Sequence, residues 1–339
     1  MGIKLKPLAE QVVVVTGASS GIGLATAREA ARRGARVVLA ARDEPELRRI
    51  CDEIRTAGGE AVYAVCDVAD PQQVWEVAET AVREFGGFDT WVNNAGVSIY
   101  GELENVPLED ARRLFDVNYW GMVHGCMAAL PHLRREGGAL VNVGSIVSDR
   151  AIPLQGHYSA SKHAVKGYTD ALRVELEHEG APVSVTLVKP GAIDTPYPQH
   201  ARNLMDVEPK HPDPVYAPEL VADAILHCAE HPRRSLTVGG GGRMHSMLGV
   251  LAPPLADRYM ESMFEGQRRE EPTRRSRRDT LFQPPRRNGR ERGDHPGRVR
   301  ETSAYTAGAM GGKTALALAA VGAGLALAAG TGLLRGRDD

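Results

Sequence analysis

VVVVTGASSGIGLATAREAA, residues 12–31, is the stretch that decides the fold. Its four consecutive valines predict a strand that is buried on both faces, as in a parallel sheet. A glycine-rich turn with the spacing GxxxGxG follows, and the alanine-rich remainder predicts a helix. A second apolar run at residues 37–40 completes a βαβ unit, for which a right-handed crossover is expected. Glycines between a strand and a helix let a diphosphate approach the backbone and the helix N-terminus.

Strand-like and helix-like segments alternate from this unit through residue 238. Further predicted strands occupy residues 61–65, 89–92, 139–143, 183–188 and 235–238, and helices lie between them, including a long one over residues 108–130. Residues 196–218 are rich in proline and histidine and are expected to form a loop or lid over a pocket. The alternation predicts an α/β fold: one Rossmann-like domain over residues 1–264, with a doubly wound parallel sheet.

The composition is ordinary for a globular protein, but the charge is unevenly divided. Residues 1–264 hold 26 Lys and Arg against 34 Asp and Glu, whereas residues 265–339 hold 15 against 9. The four cysteines show neither CxxC pairing nor metal-ligand spacing with histidine, so we expect no disulfide framework and no metal site. The N-terminus lacks the apolar run of a signal peptide.

The C-terminal part differs in character from the body. Residues 265–312 are rich in Arg, Pro and Glu without apolar periodicity, which predicts a disordered linker. No aromatic interleaving accompanies the arginines, so nucleic-acid binding is not expected. Residues 314–334 carry no charge and are long enough to cross a bilayer, so a transmembrane helix is predicted at 313–335. The arginine-rich side would stay cytoplasmic, placing the body on the cytoplasmic face of a membrane. A soluble cytoplasmic protein is the alternative.

Tyr158 and Lys162 stand four residues apart in a helix-compatible run, so both side chains project from one helical face. Ser145 lies thirteen residues before the tyrosine, just after the predicted strand at 139–143. A nearby ammonium stabilises a tyrosinate and lowers the pKa of the phenol. The pair could therefore donate and accept a proton near neutral pH. Taken alone, it could equally be two neighbours on an exposed helix.

The end of the second predicted strand bears on which dinucleotide binds. An NAD site usually has Asp or Glu there for the ribose 2′-hydroxyl, whereas an Arg accepts the 2′-phosphate of NADP. Here the strand ends at Ala41 and Arg42 follows. This arrangement favours NADP(H) over NAD(H). The alternative is that Arg42 forms a surface ion pair with Asp43 or Glu44.

The motifs occur together in the order of a known family. TGASSGIG at 16–23, Asp67, NNAG at 93–96, Asn118, Ser145, YSASK at 158–162 and PGAIDT at 190–195 resemble the short-chain dehydrogenase/reductase family over roughly residues 8–260. The resemblance implies a catalytic tetrad of Asn118, Ser145, Tyr158 and Lys162. Together with Arg42, it implies a dinucleotide site formed by Gly17, Ser19, Ser20, Gly21, Ile22, Gly23, Asp67, Val68, Asn94, Ala95, Gly96, Tyr158, Lys162, Pro190, Gly191, Ile193 and Thr195.

The resemblance further implies an oxidoreductase that interconverts carbonyl and alcohol groups. Ser145 would hold the substrate oxygen, and Tyr158 would donate or accept a proton as hydride moves from or to the nicotinamide. Lys162 would lower the pKa of the tyrosine and hold the ribose, while Asn118 would position a water. A homo-oligomer is expected, and a membrane anchor favours lipophilic substrates. The alternative is a dinucleotide-binding regulatory or scaffold protein without chemistry, because fold alone does not imply function.

Overall fold

The computed structural model describes residues 3–240, 252–273, 278–284 and 289–311. In chain order the strands are β1 Val12–Thr16, β2 Arg36–Ala41, β3 Ala61–Val65, β4 Thr90–Asn93, β5 Ile99–Tyr100, β6 Gly138–Val143, β7 Val183–Pro190, β8 Ala192–Ile193, β9 Arg202–Asn203, β10 Val207–Pro209, β11 Val215–Tyr216, β12 Ser235–Val238, β13 Arg268–Pro272 and β14 Val299–Arg300. The helices are α1 Gly21–Arg32, α2 Glu44–Thr56, α3 Pro71–Phe85, α4 Leu108–Phe115, α5 Gly121–Glu136, α6 Gly156–Glu179, α7 Tyr197–His200, α8 Pro218–Glu230, α9 Pro253–Gly266 and α10 Ala304–Ala309.

A seven-stranded sheet forms the centre of the molecule, in the order β12-β7-β6-β4-β1-β2-β3. Every pairing between its strands is parallel. The chain winds outward from β1 in one direction through β2 and β3, and in the other through β4, β6, β7 and β12. The predicted fold class is therefore confirmed. The strand order reverses at β1, which is where open α/β sheets bind ligands, outside the carboxyl ends of the strands.

The valines of β1 are the centre of the core, because helices cover both faces of the sheet. Val12 and Val14 belong to one buried cluster, and Val13 and Val15 belong to another. Side chains alternate between the faces of a strand, so one continuous apolar run supplies both layers. None of the four is more than 2% exposed.

The predicted helix over residues 108–130 is not continuous. Helix α4 ends at Phe115, a π-helical turn runs over Asp116–Trp120, and α5 continues to Glu136. Asn118 lies inside the π turn. A π turn inserts an extra residue into a helix and redirects the side chains around it, often at a functional site. The sequence analysis predicted one continuous helix here and did not predict the break.

The prediction for residues 265–312 is wrong where the structure describes them. Helix α9 runs through the expected domain boundary at residue 264, and β13 after it pairs with β10. Further along, β14 pairs with β11, and α10 buries Thr306 completely. The segment is held by backbone hydrogen bonds between strands and by isolated buried side chains such as Thr306. Neither kind of contact requires apolar periodicity, so the local composition does not reveal them.

The described residues 278–284 and 289–300, here called the strap, lie across the carboxyl edge of the sheet. Leu281 is only 1% exposed and packs into the same core cluster as Val68 and Val117. The Thr280 amide donates to the His200 carbonyl at 2.9 Å, and the Arg28 guanidinium pairs with Glu291 at 2.7 Å. The strap therefore belongs to the folded body.

Within the ranges that the structure describes, no helix is both long enough and apolar enough to span a bilayer. The transmembrane helix predicted at 313–335 lies outside the described residues.

Candidate active site

A cavity of about 260 Å³ opens at the carboxyl ends of the central strands. All of the predicted dinucleotide residues except Gly23 line it, as do Ser145, Tyr158 and Lys162 of the predicted tetrad. These residues lie at or after the carboxyl ends of different strands, at the start of α1 or on α6, so they are far apart in the sequence. Parallel strands bring their carboxyl ends to one edge, and that geometry assembles the site.

The glycine turn after β1 forms a cradle that side chains would fill. Gly17 has φ +67°, and a Cβ there would lie 2.8 Å from the Ala95 Cα atom. A Cβ on Gly23 would lie 2.2 Å from the Gly17 carbonyl oxygen, so this glycine lets α1 pack against the turn rather than lining the cavity. Ser20 precedes α1 without a side-chain cap, and Ser20, Gly21 and Ile22 line the cavity at the positive end of the helix dipole, where the Gly21 amide donates to the Arg290 carbonyl at 2.8 Å. These features fit the diphosphate of a dinucleotide.

Asn118 stands behind the cavity wall and not on it. Its Oδ1 accepts from the Val97 amide at 2.8 Å, and its Nδ2 donates to the Val97 carbonyl at 3.0 Å and to Ser161 Oγ at 3.1 Å. Both amide hydrogens are therefore used by protein acceptors. A water could reach only the second lone pair of Oδ1 or the backbone of this residue.

Ser145, Tyr158 and Lys162 converge on one wall of the cavity. Ser145 follows β6 and caps the 3₁₀ turn over Ile146–Ser148, which fixes its orientation. Its Oγ accepts from the Val147 amide at 3.3 Å, and Ser145 lines the same cavity as Tyr158. Lys162 Nζ donates to the Val143 carbonyl at 2.8 Å and lies 5.7 Å from the centre of the Tyr158 ring.

The electrostatics of this trio differ from the sequence expectation. Burial raises the pKa of Tyr158, although its hydrogen bonds with Tyr197 and Ser145 act in the opposite direction. Burial also lowers the pKa of Lys162 to about 8. The predicted lowering of the tyrosine's pKa by the ammonium is therefore not seen in the protein alone. Desolvation disfavours both charged forms and is the largest cause of each shift.

At the far end of the cavity the strap covers the residues expected to read the adenosine. Arg42 donates to the Thr280 carbonyl at 2.5 Å. Arg113, which the sequence did not single out, pairs with Asp67 and donates to the Leu281 carbonyl at 3.1 Å.

At the same end of the cavity, a cationic and an acidic side chain both lie where the ribose of a dinucleotide is expected. Arg42 lines the cavity next to Asp43, whose Oδ2 is buried and has no hydrogen-bond partner within the described ranges. Burial raises the pKa of Asp43. The alternative given for Arg42, a surface ion pair with Asp43 or Glu44, does not occur among the described contacts. Arg42 thus faces the site, but an acid lies beside it.

The cavity also has a second tyrosine that the sequence did not identify. Tyr197 opens α7 and its ring stands edge-on to the Tyr158 ring, with centroids 5.5 Å apart. The Tyr197 hydroxyl donates to Gln155 Oε1 at 2.9 Å. The only sequence signal was the loop expected over residues 196–218, which carried no information about which side chain points inward.

Comparison with known proteins decides the family. The family model described as "short chain dehydrogenase" matches residues 11–205. The chain belongs to the short-chain dehydrogenase family. As a member, it is an NAD(P)-dependent dehydrogenase/reductase, which confirms the resemblance seen in the motifs.

Two curated relatives place this short-chain dehydrogenase among oxidoreductases. The uncharacterised oxidoreductase YxnA of Bacillus subtilis is 46% identical, over 95% of this chain and 91% of that protein. The match must therefore include most of the segment after residue 264. An 11-beta-hydroxysteroid dehydrogenase A of Arachis hypogaea is 34% identical, over 74% of each chain.

Two solved structures share the fold of this short-chain dehydrogenase and contain nicotinamide cofactors. A short-chain dehydrogenase/reductase from Burkholderia phymatum in complex with NAD is 27% identical, with a TM-score of 0.67 over 74% of this chain and 96% of that one. An alcohol dehydrogenase from Thermococcus sibiricus complexed with 5-hydroxy-NADP is 29% identical, with a TM-score of 0.60 over 67% and 95%.

Proposed function

We propose that this dehydrogenase interconverts a carbonyl and an alcohol with NADP(H), using Tyr158 as the proton donor and acceptor. The observation that carries the proposal is a single cavity lined by both the glycine cradle and the Ser145–Tyr158–Lys162 wall. A bound nicotinamide would supply or accept the hydride. The cradle at the N-terminus of α1 would hold the diphosphate, with Pro190, Gly191, Ile193 and Thr195 toward the other end of the cofactor.

Each residue of the wall has a separate task in the reaction. Ser145 orients the substrate oxygen through its hydroxyl, which the capped turn already holds in place. Tyr158 gives its proton to that oxygen during reduction and takes it back during oxidation. The ammonium of Lys162 stabilises the tyrosinate left behind. Asn118 holds the loop at Val97 against α6, so it supports the wall from behind.

The test is a screen of ketones, aldehydes, steroids and fatty-acyl substrates, followed by Tyr158→Phe. We expect this variant to lose at least about a thousandfold in kcat while binding NADPH as the wild type does. Tyr168→Phe on the same helix is the matched control and should keep full activity, because Tyr168 does not line the cavity. If the wild type binds NADPH but turns over no substrate, the alternative of a non-catalytic dinucleotide-binding regulatory or scaffold protein is correct.

The preference for NADP(H) is proposed from Arg42, since β2 ends at Ala41 without an acid. We expect Arg42→Ala to weaken NADPH binding about tenfold or more and to leave NADH binding unchanged. Arg48→Ala is the control, because this arginine is exposed on α2 and pairs with Glu44. Asp43 argues for the opposite preference, because an acid beside Arg42 could accept the ribose 2′-hydroxyl of NADH. If the wild type binds NADH as tightly as NADPH or more tightly, the proposed preference for NADP(H) is wrong.

The proposal extends to a membrane anchor at residues 313–335 and to lipophilic substrates. It rests on the uncharged run at 314–334 and on the apolar lining of the cavity near Tyr158, which includes Val147, Ile152 and Tyr197. Fractionation of cells that express the full chain would test it. We expect the protein in the membrane pellet and expect deletion of 314–334 to release it, and wild-type protein in the supernatant would contradict the anchor.

A further inference from the structure

A chain of buried hydrogen bonds leads away from the tyrosine that stands against Tyr158. The Tyr197 ring is edge-on to the Tyr158 ring with centroids 5.5 Å apart, and the Tyr197 hydroxyl donates to Gln155 Oε1 at 2.9 Å. Gln155 Nε2 donates to Gln267 Oε1 at 2.6 Å, and Gln267 Nε2 donates to the Pro153 carbonyl at 2.8 Å. Gln267 is completely buried and Gln155 is 4% exposed, so these polar groups depend on one another.

The carbonyl at the end of the chain fixes the direction of every link. The Pro153 oxygen can only accept, so the atom of Gln267 that faces it must be the amide nitrogen. Gln267 Oε1 then accepts from Gln155 Nε2, which leaves Gln155 Oε1 to accept the Tyr197 proton. Turning either amide around would set two oxygens or two nitrogens against each other. With its only proton donated to Gln155, the Tyr197 oxygen is left as an acceptor on the side of Tyr158.

We propose that Tyr197 is a switchable partner of Tyr158 that accepts from its neutral hydroxyl and donates to its ionised form. The proposal rests on the proposed function, because it assigns Tyr158 as the group that ionises. During reduction, the Tyr158 proton passes to the substrate oxygen as that carbon receives the hydride, which leaves Tyr158 as a tyrosinate. The Tyr197 hydroxyl then rotates from Gln155 Oε1 to the tyrosinate without losing its proton.

The network can accommodate that rotation because Gln155 has a second donor. Ser98 Oγ lies 3.4 Å from Gln155 Oε1 and can satisfy it when Tyr197 turns away. Oxidation reverses the sequence: Tyr158 takes the alcohol proton, and Tyr197 returns to Gln155. A donor aimed at an ionised oxygen forms one of the stronger hydrogen bonds in proteins, so Tyr197 favours the charged state that the reaction produces.

We next consider whether another titratable group near the two tyrosines could take the role proposed for Tyr197. Tyr100 faces the Tyr197 ring from β5 at 6.3 Å, and His211 stacks on its other side at 5.5 Å. Burial lowers the pKa of His211 to about 4, so this ring is neutral over the working range. Lys162 faces Tyr158 from its own helix, and His200 lies on the same cavity wall.

The test is Tyr197→Phe, with Tyr100→Phe as the matched control. Both variants remove one hydroxyl from the same aromatic cluster, but the Tyr100 hydroxyl has no hydrogen-bond partner among the residues that the structure describes. The measurement is the pH profile of kcat for oxidation of the best secondary alcohol from the substrate screen. We expect the apparent pKa that reports Tyr158 ionisation in this profile to rise by about one unit in Tyr197→Phe and to be unchanged in Tyr100→Phe.

A second variant predicts the opposite sign. Gln155→Leu removes the acceptor that holds the Tyr197 proton away from Tyr158, so the same apparent pKa should fall. If Gln155→Leu and Tyr197→Phe shift this pKa in the same direction, the cavity has merely loosened and the proposal is wrong. Equal shifts in Tyr197→Phe and Tyr100→Phe would also contradict it. The same shift can be measured without turnover by following tyrosinate absorbance during a pH titration of the cofactor-free proteins. Titrations of the matching proteins that carry Tyr158→Phe identify the part of the signal that comes from Tyr158. Absence of turnover in the wild type would instead count against the proposed function.

Discussion

At the scale of single residues, burial controls the chemistry of the candidate active site. Lys162 is 4% exposed, and its Nζ donates to the Val143 carbonyl, its one acceptor within the described ranges. Removal from water disfavours the ammonium, so the pKa falls from its ordinary 10.5 to about 8. The folded protein therefore carries a poorly solvated ammonium at neutral pH, which a bound dinucleotide would help to stabilise.

This pKa predicts how stability depends on pH. Below pH 8 Lys162 is charged in both states, so the folded state bears the full desolvation cost. Between pH 8 and 10.5 the unfolded chain binds more protons than the folded one, so stability rises with pH. We expect the unfolding free energy of wild type relative to Lys162→Met to increase by roughly 2–3 kcal/mol across this window. Urea titrations of both proteins at several pH values would measure it, and a constant difference would show that the lysine is not strained.

Glycines supply a second prediction at this scale. A Cβ on Gly23 would meet the Gly17 carbonyl at 2.2 Å, whereas a Cβ on Gly167 in α6 meets nothing within 4 Å. Gly23→Ala should therefore destabilise the protein by about 2 kcal/mol or more and abolish NADPH binding. Gly167→Ala should stabilise it by about 0.5–1 kcal/mol, because alanine restricts the unfolded chain. Thermal unfolding and NADPH titration would compare them, and equal behaviour of the two variants would contradict the packing argument.

At the scale of elements, the strap ties both ends of the cavity to the body. Its Thr280 and Leu281 carbonyls hold Arg42 and Arg113 at one end. The Arg290 carbonyl accepts from the Gly21 amide at the start of α1, and the His295 amide donates to Asp194 at the other end. A segment without apolar periodicity thus forms part of the wall around the candidate cofactor site.

Leu281 is the anchor whose loss should release the strap. Leu281→Asp places a charge at a position that is 1% exposed, and we expect a loss of about 3 kcal/mol in stability. Phe282→Asp is the matched control, because its neighbouring side chain is 43% exposed. Denaturation and limited trypsin digestion after Arg278, Arg290 and Arg292 would measure the difference. Equal protease resistance in both variants would mean that Leu281 does not hold the strap.

At the scale of the whole molecule, α5 and α6 bury their inner faces in the same core cluster and so lie on one side of the sheet. Their outer faces keep large apolar side chains in water: Met127 is 54% exposed and Val174 is 56% exposed. Trp120, in the π turn before α5, is 49% exposed. Exposed apolar side chains on two helices of one face can form an interface, and we propose that a second copy of this chain covers them.

This arrangement predicts an oligomer that charges can break. Light scattering after size exclusion should give at least a dimer for the full chain in mild detergent, because a two-fold axis would pair the same helices of both copies. The double variant Met127→Glu with Val174→Glu should give a monomer, since paired carboxylates cannot be buried together. Leu255→Glu on α9, 60% exposed, is the control. A monomeric wild type would overturn the prediction.

Sequence alone determined the sheet, the glycine cradle and just under half of the residues that line the cavity. The valines of β1, the turn after them and the Tyr158–Lys162 spacing act locally, through burial, backbone freedom and helical periodicity. Those effects can be read from neighbouring residues. The edge where they meet follows from the parallel order of the strands, which the alternation of elements already implies.

Tertiary structure alone decided the rest. The π turn at Asn118, the pKa directions of Tyr158 and Lys162, the Tyr197–Gln155–Gln267 chain and the docking of the strap all depend on residues far apart in the sequence. Gln155 and Gln267 meet across 112 positions, and Arg42 and Thr280 across 238. Such contacts arise from desolvation and from hydrogen bonds that only the closed fold brings within reach. No periodicity along the chain records them, and for that reason the arginine-rich segment was mistaken for a disordered linker.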